Sequence, residues 1–418
     1  MASGGPVFDY RDASRLASFS VIKYKRWVVG YGRLSATDDR VLDGDTVFEI
    51  GSVTKVFTGI LLAQAVLNGE VKLDDPISMY LPEGVTAPEY EGRSITLLDL
   101  ATHASGLPRM PSNFHPKDPS NPYADYTMDQ MYDFLSGYRL TRAPGSTCEY
   151  SNYGFGLLGD LLVRRAGQAD YEALLLERIT RPLGMDSTRI QLTPDMRSRL
   201  APPHSSYSAA TSLWDNPTLP GCGGIRSTAN DMLTFLAANM GMTETELQPA
   251  LQLANTPQRP TAGLNNIGLG WGLPNSGKWI HEHDGGTGGT CSYVAWDPQR
   301  KVGVVVLTNV AIDIDYLGRL LIRGLSLKPV PVDPQVLAAY AGRYQFSNGI
   351  VATIRVDGPR IFGQVMGQPE SELFARSDNQ FRPRDSDAEI TFYKNASGEV
   401  DRVVYVENGV SYEVKKIP

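Results

Sequence analysis

The chain has 418 residues, 42% of them hydrophobic and 20% charged, with a net charge of −7 at neutral pH. That length suits one large domain plus a smaller one, and the composition is that of an ordinary globular enzyme. The acidic balance and the lack of a basic stripe exclude nucleic acid as a partner, and no apolar run reaches membrane-spanning length.

The opening residues, Met1-Ala2-Ser3-Gly4-Gly5-Pro6, lack the basic and apolar regions of a signal peptide. As written, the chain reads as cytoplasmic; a trimmed periplasmic or secreted protein is equally compatible. Residues 17 to 33 read as a strand pair, Phe19–Lys23 and Trp27–Gly32, turning at Tyr24-Lys25-Arg26. Asp45–Ile50 alternates and is β-branched until Gly51 and Ser52 interrupt it. From Val53 onward Val56, Phe57, Ile60 and Leu61 recur at helical spacing.

A helix is therefore predicted from Ser52 to about Asn68, with Gly69 as its C-cap. Ser52 sits at its N-terminus, where unpaired N–H groups and the dipole favour negative charge. Lys55 follows on the same face. A serine hydroxyl becomes a nucleophile when a neighbouring base takes its proton, and the apolar surroundings of Lys55 supply the burial that suits an amine to that task. Ser-x-x-Lys alone turns up about once in a chain of this length, so its weight comes from what lies downstream.

Thr96–His103 reads as a short helix stopped by Ser105-Gly106-Leu107-Pro108. The Pro-, Asn- and Asp-rich loop from Pro111 to Tyr126 is longer than a connection requires and reads as a surface that shapes a binding site. Tyr123 and Tyr126 are candidates to line it, with surface packing the plainer role. Tyr150-Ser151-Asn152 precedes predicted helices at Gly156–Gly167 and Tyr171–Ile179, and Ser227–Asp231 caps another that runs through Asn239. A helical stretch near Glu244–Ala254 gives way to strands at Gly268–Leu273, Trp279–His283, Gly289–Trp296 and Val302–Thr308, then a helix at Asp315–Gly324. Cys148, Cys222 and Cys291 read as free thiols, with a Cys222–Cys291 disulfide as the minor alternative.

The proline-rich run 329–334 divides the chain into a domain of residues 1–328 and a second of residues 335–418. Beyond it, turns at Asn348-Gly349, Asp357-Gly358, Gly367-Gln368-Pro369, Ser397-Gly398 and Asn408-Gly409 separate short alternating runs. That spacing predicts a small antiparallel barrel or sandwich.

Three segments, Ser52-Val53-Thr54-Lys55, Tyr150-Ser151-Asn152 and His283-Asp284-Gly285-Gly286, occur in the order of a known family's motifs. Over roughly residues 15 to 330 the chain resembles the class C β-lactamase and penicillin-binding-protein superfamily of serine hydrolases, which includes DD-peptidases, D-aminopeptidases and certain esterases. The resemblance implies an α/β (α+β) fold: a β-lactamase-like antiparallel sheet flanked by helices, with a helical subdomain, the cleft between them and a lipocalin-like C-terminal barrel. It implies Ser52 as the acylated nucleophile, Lys55 as its proton acceptor and Tyr150 as the group that passes a proton to the leaving atom, with the choice of base between Lys55 and Tyr150 open. Asn152, His283, Gly285 and Gly286 would contact substrate, and the N–H groups of Ser52 and Gly286 would form an oxyanion hole.

His283 departs from the family's lactamases, which carry a permanent cation there. A histidine is largely neutral at working pH unless Asp284 or Glu282 raises its pKa. His283 suits D-aminopeptidases, DD-peptidase-like proteins and esterases, and puts efficient β-lactamase action in doubt.

The function implied is hydrolysis through a Ser52 acyl-enzyme, of D-amino-acid or D-alanyl amides or of β-lactams, with no cofactor and no metal. The alternatives are a short-chain carboxylesterase and a penicillin-recognition module that acylates without turning over. The partner is a small-molecule or short-peptide substrate, and assembly into a homo-oligomer is left open. His281 and His283 share a strand face but lack a third metal ligand. The glycines at 285–289 lack a phosphate loop's Lys-Ser/Thr, no Gly-x-Ser-x-Gly elbow occurs, and His103 reads as structural.

Overall fold

The computed structural model describes residues 17–22, 25–35, 38, 40–259, 267–273, 280–323, 330–368, 370–383, 388–395, 397–407 and 410–417. Those up to residue 318 form one compact unit and those from 319 onward a second. In the first, the strands in chain order are β1 (Ala17–Ile22), β2 (Arg26–Tyr31), β3 (Val47–Glu49), the short pair β4 (Glu89–Tyr90) and β5 (Arg93–Ser94), β6 (Arg226–Thr228), β7 (His281–Gly286), β8 (Cys291–Asp297) and β9 (Val302–Thr308). Five of them form an antiparallel sheet in the order β2-β1-β9-β8-β7. Every residue of β9 is buried, which is why Val302–Thr308 reads as a continuous apolar run: a central strand covered on both faces has no solvent side to alternate with. Among the described residues β7 pairs, as a strand, with β8 alone, so it forms one edge of this sheet.

Between β2 and β7 the sequence is mainly helices and loops, with the short strands β3 to β6 among them. The first, α1 (Thr54–Leu67), follows a tight turn at Gly51–Val53 and is buried along most of its length; Gly69 just beyond it has φ +70°, the left-handed geometry of a C-terminal stop. Its Phe57 ring stacks on Phe235, with centroids 4.3 Å apart, a pair worth about 0.5–1.5 kcal/mol beyond its buried area. Next come α2 (Leu97–Ala101), held by a capping box between Thr96 and Asp99, α3 (Met128–Gly137) and α4 (Asn152–Ala166). The helical run from Tyr171 to Leu183 carries a wide turn at Leu176–Thr180. Among the described residues no helix is long and apolar enough to cross a membrane.

Several expectations need correcting. Gly268–Leu273 is a loop with isolated bridges at Ile267 and Gly272, although its residues alternate like a strand. It lies across α1, and glycines are required there: a Cβ on Gly270 (φ +81°) would come 2.5 Å from the Lys55 carbonyl oxygen, and one on Gly59 would come 2.0 Å from the Leu269 oxygen. The third-motif strand runs His281–Gly286 and so takes in Gly285 and Gly286, while Trp279 lies outside the described residues. Helix α4 begins at Asn152, four residues ahead of its expected start, because Ser151 caps it. The three cysteines are free, so Cys222 and Cys291 are not bridged.

The second unit is a closed barrel of eight antiparallel strands, β10 (Gly342–Phe346), β11 (Val351–Asp357), β12 (Arg360–Val365), β13 (Ser371–Ala375), β14 (Gln380–Pro383), β15 (Glu389–Lys394), β16 (Val400–Glu407) and β17 (Val410–Ile417). Pairing β10 with β17 closes it and removes the sheet edges. Gly349, Gly358, Gly367 and Gly398 all have positive φ at hairpin turns. Asn408-Gly409 and Pro369 lie outside the described residues, as does Pro329 of the proline-rich run. Within that run the Val330 N–H donates to the Ala375 carbonyl, and Pro334 opens a helix, Pro334–Ala338.

Candidate active site

The segment carrying Ser52 is held from both sides. Ile50 donates its N–H to Ile225 O, and its own carbonyl accepts from Ser292 Oγ at 2.8 Å. Gly51 has φ +48°, and a Cβ there would lie 2.7 Å from Gly286 N. A Cβ on Gly285 would lie 2.2 Å from Ile50 O and 3.0 Å from Ser52 N. Glycine at 51 and 285 therefore lets the edge strand β7 close on the tip of α1.

Hydrogen bonding along the hairpin sets which way Gly286 faces. Thr287 N–H bonds Thr290 O, so the next pair, Gly286 and Cys291, is the non-bonded kind in an antiparallel ladder. The Gly286 N–H is thereby turned to the free edge, and its nitrogen lies close to Gly51, the residue before Ser52. The same alternation directs Glu282 outward, where its N–H and carbonyl exchange bonds with Gly272.

Lys55 is fully buried, and the 268–273 loop lies against its backbone carbonyl. Its Nζ lies 3.0 Å from Ser52 Oγ, 2.8 Å from Asn152 Oδ1 and 2.7 Å from the Cys222 carbonyl. The amide oxygen and the carbonyl accept only, so both take lysine hydrogens. The third tetrahedral position on Nζ faces Ser52, carrying a hydrogen in the ammonium and a lone pair in the amine.

The second motif enters at the start of α4. Ser151 Oγ accepts from Gly154 N–H and donates to Pro108 O, and Ser151 N–H donates to His103 Nδ1 at 3.0 Å. That bond makes Nδ1 an acceptor, so His103 is the neutral Nε2–H tautomer. Burial, with Lys55, His283 and Arg109 nearby, holds its pKa well below the ordinary value. With φ +56° and its ring against Tyr150 and Phe155, His103 props the motif. Tyr150 OH donates to Ser52 Oγ at 2.7 Å. Lys55 Nζ lies 4.7 Å from the Tyr150 ring centroid, and the exposed Arg109 guanidinium lies 5.1 Å from it. Asn152 Nδ2 donates to Tyr123 OH at 3.3 Å, so both ends of this amide have partners within the chain.

In the third motif, His283 Nδ1 donates to the Asp284 carbonyl at 2.6 Å. Burial lowers its pKa, assisted by Lys55, and outweighs the opposing pull of Asp284 and Glu282. The carboxylates thus do not raise it. Glu282 instead accepts from Tyr293 OH. His281 stacks on Trp296 with centroids 3.9 Å apart, and burial pushes its pKa down to about 4. Among the described residues no three His, Cys, Asp or Glu side chains are grouped to hold a metal ion.

The sequence reading missed Glu49, Trp214, Arg226 and Arg109, and gave Tyr123 the plainer role of surface packing. Glu49 is buried; its carboxylate accepts from Trp214 N–H at 2.7 Å and Thr287 Oγ1 at 2.9 Å, and pairs with Arg226 at 3.6 Å. Burial raises its pKa against the pull of Arg226. It ties β3, the Trp214 loop and the turn after β7 into one frame around Ser52 and Gly286. Tyr123, from the long loop, is buried and touches both Asn152 and the Trp214 ring. A conspicuous loop length was the only sequence signal for Tyr123; the others had none.

Residues 12–321 match the beta-lactamase family, and residues 327–416 match a domain of unknown function. The D-alanyl-D-alanine-carboxypeptidase/endopeptidase AmpH of Escherichia coli K12 is 35% identical over 282 residues, which cover 63% of this chain and 71% of that protein. A beta-lactamase of the same organism is 28% identical over 344 residues, 73% of this chain and 86% of that one. Among solved structures, a beta-lactamase/D-alanine carboxypeptidase from Yersinia pestis complexed with citrate aligns with a TM-score of 0.66 at 28% identity, covering 74% of this chain and 92% of that one.

Proposed function

The chain belongs to the beta-lactamase family and is a serine hydrolase of the β-lactamase type; on that premise we propose that it cleaves the amide bond of D-alanyl peptides through an ester on Ser52. The observation that carries this reading is the convergence of two groups on one oxygen: Lys55 Nζ at 3.0 Å and Tyr150 OH at 2.7 Å from Ser52 Oγ. As Oγ attacks the substrate carbonyl carbon, its proton passes to the Lys55 lone pair. The carbonyl oxygen takes up negative charge facing the N–H groups of Ser52 and Gly286, each worth about 2.7–4 kcal/mol in the transition state. The C–N bond then breaks, the leaving nitrogen takes the Tyr150 proton, and the Lys55 proton restores the phenol. Water reverses the sequence to release the acid.

Asn152 acts in this scheme chiefly by aiming Lys55, and the Tyr150 phenolate formed in transit has two cations near its ring, Lys55 and Arg109. The relative named for D-alanyl-D-alanine carboxypeptidase activity supports the substrate class. A second reading, hydrolysis of short-chain esters, draws on His283: a neutral imidazole anchors a substrate carboxylate poorly and suits substrates without one.

Intact-mass spectrometry after incubation with a D-alanyl-D-alanine peptide, a penicillin and a p-nitrophenyl ester separates these readings. Release of D-alanine that disappears in Ser52→Ala supports the proposal. Ester turnover with no D-alanine release sinks it in favour of the esterase, and a penicillin adduct that never clears, with no turnover of either other substrate, marks a recognition module.

A further inference from the structure

The barrel formed by β10–β17 is filled at one end and hollow at the other. At the filled end the helix Pro334–Ala338 leads into Tyr340, which is 1% exposed, stacks on Phe392 at 4.3 Å and meets Phe381 edge-on at 5.5 Å. Tyr344 OH donates to Tyr340 O and Tyr340 OH to Asp378 O, locking this floor.

Toward the other end, inward-facing side chains lose their cover. Along β17, Val414 is 2% exposed, but Tyr412 and Val410, two and four residues earlier on the same face, are 41% and 50% exposed. Between floor and rim lies a cavity of about 310 Å³, with Leu373, Ile390 and Val403 among its walls. That is the lower end of the range for small-molecule sites, in a barrel whose strand number is just enough to hold one small ligand. A core that merely stabilised the barrel would close on such a space, because unfilled volume forfeits packing contacts.

The rim has a chemistry of its own. Phe346, Tyr405 and Tyr412 stand with ring centroids 5.5 to 6.3 Å apart in each pairing. Glu407 lies two residues after Tyr405 on the inward face. Among the described residues it is the only charged side chain lining the cavity, and its carboxylate has no partner. A well of mainly apolar walls, with Gln364, Gln368 and Ser371 also lining it, topped by aromatic rings and one carboxylate, repels an anionic head and matches a cation.

We propose that the barrel interior binds a small amphiphilic amine, its apolar body in the well and its ammonium among Phe346, Tyr405, Tyr412 and Glu407. The inference stands apart from acyl transfer at Ser52, because it rests on the barrel alone.

The test uses the full chain with N-phenyl-1-naphthylamine as a fluorescent reporter, displaced at neutral pH by decylamine, decanol or decanoate. Decylamine should displace the reporter at a concentration about tenfold or more below that needed for decanoate, a difference of one strong charge-dependent contact. Glu407→Gln should remove the advantage of decylamine over decanol, and Ala352→Trp, which fills the well, should abolish reporter binding while far-ultraviolet circular dichroism stays native. Should Ala352→Trp fail to fold, Tyr412→Ala at the exposed rim decides, by a weakened preference for the amine. Equal or tighter displacement by decanoate overturns the proposal, as does undiminished reporter binding in folded Ala352→Trp. Pre-acylating Ser52 with a penicillin should leave the reporter signal intact; its loss would place the reporter in the hydrolase cleft and overturn the proposal.

Discussion

Asn152 Oδ1 accepts a hydrogen from Lys55 Nζ at 2.8 Å, across 97 residues of sequence. With the Cys222 carbonyl it occupies two of the three positions on the lysine nitrogen and leaves the third for Ser52. The resemblance implies a substrate contact for Asn152; in the mechanism proposed above its amide also aims the amine.

Asn152→Ala should therefore reduce turnover more than substrate binding. A hydrogen bond to a charged group is worth about 1.5–3 kcal/mol, so kcat should fall by roughly 10- to 100-fold with little change in KM. Tyr123→Phe, which loosens only the far end of the same amide, should cost less than Asn152→Ala. Steady-state kinetics on one D-alanyl substrate checks the order; an effect of Asn152→Ala confined to KM refutes it.

Tyr150→Phe removes the hydroxyl that donates to Ser52 Oγ at 2.7 Å. An amine leaving group must be protonated as the C–N bond breaks, whereas a p-nitrophenolate departs unaided. Loss of a general acid costs about 10²–10⁴-fold, and that loss should fall on amide cleavage while ester cleavage drops far less. Comparing kcat/KM for the two substrates settles it, with equal losses ruling out the assigned role.

Much of this site is legible in the sequence because its parts are local. Ser52 and Lys55 meet since residues three apart share a helix face, and Gly285-Gly286 announces a backbone that comes close to something. The frame around them is not local. Glu49 meets Trp214 and Thr287 across 165 and 238 residues, and nothing in the three residues' own neighbourhoods signals the meeting. Gly268–Leu273 misleads for a related reason: Leu269 packs on α1 at Gly59, Trp271 packs on Phe235, His281 and Trp296, and only Gly272 bridges to β7, so a two-residue period there reports burial and not a strand of the sheet. In the barrel the hairpin glycines mark most turns. The turn after β13 at Arg376–Asn379 carries no glycine, and the sequence reading passed over it.

His283 tests whether a missing cation limits substrate choice. Burial and Lys55 hold its pKa below 6.5, so the imidazolium is present only on the acid side of that value and is lost as pH rises. At pH 7.5 the site lacks the charge. His283→Lys should then lower KM for a peptide with a free C-terminal carboxylate, by about tenfold if one ion pair is gained, and leave an amidated peptide unchanged. The gain should shrink on the acid side, as pH falls through the lowered pKa of the native imidazole. A pH-independent gain, or one shared by the amidated peptide, removes His283 from carboxylate recognition.

Acid stability should depend on His281. Burial pushes its pKa down to about 4 in the folded chain, against 6.5 for the free side chain. The unfolded chain binds the extra proton between those values, so the contribution is complete above pH 6.5 and declines as pH falls toward 4, by about 3 kcal/mol in all. His281→Phe keeps the stacked ring and removes the titration. Urea unfolding at pH 7 and pH 4.5 should show a smaller drop for the variant than for the native chain; identical drops would assign the acid sensitivity to other groups.

The closeness of β7 to the tip of α1 can be probed with a single methyl group. A Cβ at residue 285 would stand 2.2 Å from Ile50 O, 2.5 Å from Ser292 Oγ and 3.0 Å from Ser52 N. The first atom is backbone and cannot yield, so Gly285→Ala must push the edge strand away from Ser52. The Gly286 N–H travels with the strand and leaves the position where it would face a developing oxyanion. Losing one such donor costs about 10²–10³ in kcat. Because β7 is at the sheet edge, the rest of the sheet need not move, and the melting temperature should fall by only a few degrees. Burst-phase kinetics with the p-nitrophenyl ester should show slowed acylation of a folded enzyme. Native acylation rates in Gly285→Ala would mean that the strand gives way without carrying Gly286 with it, and that the oxygen is held elsewhere.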